Sequence, residues 1–129
     1  WNEELFANFR MYYALCRTGY KVYMNNTVYT GAQIADMYRK SYEETLARGI
    51  ASDGDGLMYV MTRMADTEGW EPFRKAFREL YGLDPAVSCG ATKWEKIDCF
   101  FSVVSRYASK DLLETYFTPA QIAALKTLK

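Results

Sequence analysis

The sequence predicts an all-α protein: an orthogonal bundle of about six helices in a single domain, with at most one small β-hairpin. Three observations carry that prediction. Apolar residues recur at spacings of three and four along most of the chain. Three capping boxes, Thr30/Gln33, Thr92/Glu95 and Thr118/Gln121, mark helix starts. Glycine or proline punctuates the intervals between the periodic stretches.

The first helix is read over residues 1 to 16 and opens without lead-in, as part of a larger protein would. Leu5, Phe9, Tyr12 and Cys16 fall at spacings of four, three and four, a stripe that packs into a core. Glu4 and Asn8 lie one turn apart on a neighbouring stripe, so a carboxylate and a carboxamide point the same way. Spacing alone reads such a pair as a solvated flank or a local hydrogen bond.

Residues 21 to 29 alternate around Asn25-Asn26, and asparagine tolerates the positive φ of a hairpin turn. Tyr20, Val22 and Met24 are expected on one face, Lys21 and Tyr23 on the other. An isolated two-stranded hairpin is marginal, so a plain loop is the alternative.

Thr30 caps a helix expected to run to about Arg48, with Ile34, Met37, Tyr38 and Tyr42 as its apolar stripe and Gly49 as its end. The linker S-D-G-D-G, residues 52 to 56, has the look of a calcium loop. The twelfth position, which an EF-hand fills with glutamate, holds Met64. Asp55 is more simply the N-cap of a helix over about 56 to 67 that buries Leu57, Val60, Met61 and Met64.

Pro72 sits where a first-turn proline is tolerated, so Glu71–Tyr81 reads as a helix burying Phe73, Phe77 and Leu80, with Trp70 at its entrance. Arg74, Lys75, Arg78 and Glu79 form its wet face. Gly82 ends it, and residues 83 to 91 read as a loop. The helix over 93 to 108 is the most apolar, with Trp94, Ile97, Phe100, Phe101 and Val104, and is therefore expected to be central. Ser109 restarts the chain as a short helix to Tyr116, and a last helix over 119 to 128 buries Ile122 and Leu125.

Composition narrows the function. Sixteen basic and 16 acidic side chains cancel in the 129 residues, so no basic field exists to release counterions from phosphates, and nucleic acid is not an expected partner. The longest apolar run, Cys99–Val104, is far too short to span a bilayer. Three cysteines cannot all pair within the chain. Cys16 and Cys99 stand in apolar helical contexts, and a Cys89–Cys99 bridge is an option that spacing does not settle. Eleven Tyr, 7 Phe and 3 Trp could present a sugar- or peptide-binding surface, though tyrosine is equally at home at a core edge.

There is no histidine. The usual general base near neutral pH, the Ser-His and Cys-His nucleophile systems and the commonest zinc ligand are all missing. Phosphate-loop and dinucleotide glycine motifs are absent as well. The chain by itself is expected to have no catalytic residues and no activity.

Trp1, Glu4, Asn8 and Tyr12 or Tyr13 stand in a pattern that resembles the helix following the His-Glu-x-x-His helix in enhancin-like, mucin-directed zinc metallopeptidases of the gluzincin type. The run G-W-E-P-F-R-K-A-F-R-E-L-Y-G, residues 69 to 82, is similar to the Gly-Trp helix that comes later in that family. The distinctive motif covers only the first dozen residues; the rest of the likeness is loose.

In a gluzincin two histidines one turn apart hold zinc, the glutamate between them activates the bound water, and a carboxylate from the following helix is the third ligand. The resemblance implies that Glu4 is that ligand and that Asn8, one turn on, orients substrate or ligand beside it. It also implies zinc in the parent protein, a protein or glycoprotein substrate, a secreted or cell-surface location, and an upstream half carrying the histidines. Glu3 is the neighbouring carboxylate, but the Glu-x-x-x-Asn spacing favours Glu4. The competing expectation is a non-catalytic helical module that binds a peptide or a partner helix.

Overall fold

The computed structural model describes residues 3–51 and 54–129, the side chain of Glu3 excepted. Eight α-helices and one two-stranded hairpin are present among them, an all-α bundle with a short β element. In chain order these are α1 (Glu3–Thr18), β1 (Val22–Met24), β2 (Thr27–Tyr29), α2 (Gly31–Glu44), a 3-10 turn (Leu46–Arg48), α3 (Asp55–Glu68), α4 (Glu71–Leu80), α5 (Pro85–Ser88), α6 (Lys93–Ala108), α7 (Leu112–Tyr116) and α8 (Pro119–Leu125).

The three capping boxes form as their residue types dictate. In each, the threonine oxygen takes the N3 amide and the N3 side chain takes the threonine amide, at the starts of α2, α6 and α8. The hairpin forms too. Asn25 and Asn26 both adopt positive φ, 49° and 60°, and Val22 pairs with Tyr29, Tyr23 with Val28 and Met24 with Thr27. Val22, Met24 and Tyr29 turn toward the core, which supplies the support that an isolated hairpin lacks. Tyr20 does not join them; it is 74 % exposed because the strand begins only at Val22.

Several expected boundaries shift for physical reasons. The second long helix stops at Glu44, where Thr45 breaks the α geometry, and the chain continues as the 3-10 turn that Gly49 closes in the left-handed region at φ 71°. Asp55 is not an N-cap: Gly54 holds that place without a side-chain cap, and Asp55 is the first residue of α3, favourable beside the positive end of the helix dipole. Ser52 and Asp53 of the S-D-G-D-G linker lie outside the described residues. The stretch read as a loop over 83 to 91 contains one helical turn, α5, because Asp84 accepts from the Ala86 amide at 2.9 Å with Pro85 at the first position. Ser109 does not restart a helix; it ends α6 in the left-handed region at φ 54°, and Asp111 caps α7. The helices expected to end at Tyr81 and at residue 128 stop at Leu80 and Leu125.

The core is one apolar cluster to which α1, α2, α3, α4, α6, α7 and α8 all contribute. The helix expected to be central is a core helix but shares that place: Phe100, Phe101 and Val104 of α6 are buried against α4, while α3 buries more of its residues, with α2 packed along it and α1 lying across α2 and α3. Five residues assigned to apolar stripes sit differently. Cys16 and Met37 are exposed, and Tyr42, Phe77 and Ile122 are half-buried, because their helices reach the surface at those turns. Cys89 and Cys99 are bonded, with their Cα atoms 5.5 Å apart, tying the segment after α5 to α6.

Candidate functional site

Helix α1 is clamped by one face. Leu5, Phe9, Tyr12 and Leu15 are buried, and Phe9 stacks within 5.2 Å of Trp70 and 5.0 Å of Phe73. The stripe carrying Glu4, Asn8 and Met11 lies at the edge of that face, toward α2 and α3. Glu4 is exposed and forms no ion pair among the described residues; Asn8 is half-buried and its carboxamide makes no hydrogen bond there. Trp1, the first residue of the sequence motif, lies outside the described residues.

Two further elements bring polar groups to Glu4. Tyr38 of α2 is almost wholly buried, and its phenol is pushed up to about 12, first by burial and then by the charges of Asp55 and Glu4. The charges of Glu4 and Asp55, carried by two helices, both act on that one phenol. Gly56 makes the approach of α3 feasible: a Cβ there would meet Thr45 Oγ1 at 2.7 Å and Leu46 Cβ at 3.5 Å, so the start of α3 presses directly onto the end of α2. Sequence reasoning singled out Glu4 and Asn8 but missed Tyr38 and Asp55 as their companions. Periodicity makes Tyr38 a stripe residue and Asp55 a cap, and only the crossing of α2 and α3 over α1 brings them to one end.

One carboxylate with one neighbouring carboxylate is not a metal centre. No group of three or more His, Cys, Asp or Glu side chains that could hold a metal exists among the described residues. Glu4 fits one corner of a tetrahedral zinc site and no more.

A second polar cluster lies farther along α1. The Tyr12 hydroxyl donates to the two carboxylate oxygens of Asp66 at 3.2 and 3.3 Å, and its phenol is raised well above the ordinary value by burial, by contact with Cys16 and by Asp66. The Cys16 thiol is itself raised, chiefly by burial, which is opposite to what a nucleophilic cysteine needs.

Helices α1 and α4 meet through side chains and leave an open trough between them. It consists of two adjoining clefts of about 280 and 360 Å³ that share Arg10 and Phe77. The Arg10 guanidinium sits over the Phe77 ring, 5.5 Å from its centre. Arg74 and Arg78 of α4, read from sequence as solvated charge, both line the trough.

Compared with family models, curated proteins and solved structures, the chain matches none. No helix among the described residues is long and apolar enough to cross a membrane.

Proposed function

We propose that this chain is the helical part of a zinc metallopeptidase acting on proteins or glycoproteins, at the cell surface or outside the cell. Its role is to wall the cleft and to hold the third zinc ligand. Glu4 is that ligand, and Asn8 orients substrate or the bound group beside it. The reading requires an upstream half that carries the two histidines and the catalytic glutamate, and the chain alone is inactive.

The observation that supports it is the exposed Glu4 carboxylate, without an ion pair among the described residues, at the edge of a helix face that is locked in the core. A metal ligand needs a fixed backbone and a free carboxylate, and Glu4 has both. Asn8, one turn away, has a carboxamide without a hydrogen bond among the described residues. Zinc, when bound, would supply Lewis acidity and a water of lowered pKa. What this chain contributes is the position of one donor, with a buried phenol, Tyr38, that feels its charge.

A non-catalytic peptide-binding module is the second reading. The specific observation in its favour is the open trough between α1 and α4, on a different face from Glu4.

The deciding experiment is zinc content and peptidase activity of the protein extended upstream of Trp1 in its native reading frame. Stoichiometric zinc, with zinc and hydrolysis both lost in Glu4→Gln, supports the first reading. Wild-type zinc content in Glu4→Gln removes Glu4 from the site. A folded extended protein without metal leaves the module.

A further inference from the structure

The trough between α1 and α4 combines two features that seldom meet on a solvated helix face. Its floor is aromatic: Tyr13, Trp70 and Phe77 are only half-buried and line it together with buried Phe9 and Phe73. Its rim is cationic, with three arginines and no carboxylate among the residues lining either cleft. Arg74 bonds Glu71 at 3.2 Å, whereas Arg10 and Arg78 have no ion-pair partner among the described residues. In a chain of zero net charge this is a local concentration of positive potential around an apolar slot. Beyond Leu80 the apolar surface continues onto Tyr81, 88 % exposed, and Leu83, which form one end of the trough.

We propose that this trough docks an acidic peptide segment from a partner protein, with an aromatic or aliphatic anchor seated over Phe77 and carboxylates reaching Arg10 and Arg78. The charge sign selects the partner. Two guanidiniums without an ion-pair partner among the described residues, one of them held over a ring, are donors placed for bidentate carboxylate contacts. The shape selects a peptide. The trough is open along its length and follows α4, whose ten residues span about 15 Å. That length accommodates anchors at i, i+4 and i+7 of a two-turn helix, which span about 10.5 Å. An acyl chain would call for an enclosed tunnel, which neither cleft forms. The inference extends the second reading above and is independent of zinc. Loss of metal on Glu4→Gln would leave it untouched, and failure of peptide binding would leave Glu4 untouched.

The test is selection of a random 12-residue peptide library on the whole 129-residue chain, followed by fluorescence anisotropy of the enriched peptides. The expected result is enrichment of sequences pairing Asp or Glu with Phe, Trp or Leu. Their affinity should fall with added salt and drop at least about tenfold in Arg10→Glu and in Arg78→Glu. Both positions are exposed, so the variants should melt with the wild type, and circular dichroism checks that. As a second control, replacing each acid by lysine in the best peptide should abolish binding to the wild type. Neutral or basic consensus sequences, no enrichment, or affinities unchanged in both variants would overturn the proposal. So would concentration-dependent dimerisation in sedimentation that both variants abolish, since a second copy would then be the occupant.

Discussion

The Gln121 carboxamide of α8 donates to the Tyr42 hydroxyl of α2 at 3.0 Å, joining residues 79 apart in the chain. The same side chain accepts the Thr118 amide at 3.0 Å, closing the capping box of α8. Gln121 is one of two buried polar residues among those described, and its two ends serve different elements.

Gln121→Ala should therefore cost more than an ordinary cap residue. It leaves the Tyr42 hydroxyl and the Thr118 amide without their partner in a half-buried setting, a loss of about 1–3 kcal/mol. Urea melts measure it. A change below about 0.5 kcal/mol, the range of ordinary surface substitutions, would show that the bond carries no stability.

Phe100→Ala tests the centre of the bundle. Phe100 is 2 % exposed, and its ring lies 4.8 Å from Phe6, 5.4 Å from Phe77 and 5.5 Å from Phe101, so α1, α4 and α6 all meet on it. Truncation leaves a cavity that three helices cannot all collapse into, and the expected loss is about 3–5 kcal/mol. A loss below about 1 kcal/mol in denaturant would place the core elsewhere.

The bundle was legible because its signals are local. Thr30, Thr92 and Thr118 each announce a helix within four residues, and Asn25-Asn26 announces its own turn. What stayed hidden depends on how helices cross. Cys16 has the spacing of a core residue but sits at the last turns of α1, where its neighbours cover it only in part. Tyr38 and Asp55 join Glu4 only because Gly56 lets α3 press onto α2, and no periodicity encodes that crossing. Arg10 and Phe77 meet across two helices 67 positions apart. Sequence reasoning could place Arg78 on a wet face, but not beside a trough.

The acid limb of the stability curve should depend on Glu68. Its Oε1 accepts from Lys110 Nζ at 2.8 Å and from the Tyr116 hydroxyl at 2.6 Å, and these bonds, Lys110 first, hold the carboxyl below its ordinary value. Folding then favours the ionised form. The stabilisation is present above the unfolded value of about 4.3 and is lost as pH falls through the lower folded value. Glu68→Gln should be less stable than the wild type at pH 7 and should lose less stability on acidification below about pH 4. Parallel curves for the two proteins would contradict the assignment.

The candidate site makes an alkaline prediction. Burial, Asp55 and Glu4 hold the Tyr38 phenol near 12, above its ordinary value, so folding favours the neutral form. That contribution is complete below about pH 10 and is lost as pH rises through the folded value. In a phenolate absorbance titration, wild type minus Tyr38→Phe should show one late component near 12. Glu4→Gln removes a negative charge beside the phenol, which must lower that component, while Glu43→Gln, an exposed change elsewhere on α2, should not. The measurement needs neither zinc nor an upstream half. A Tyr38 component unmoved by Glu4→Gln would mean that the Glu4 carboxylate does not reach the phenol. Tyr38 would then no longer belong with Glu4, and only Asn8 would accompany the proposed zinc ligand.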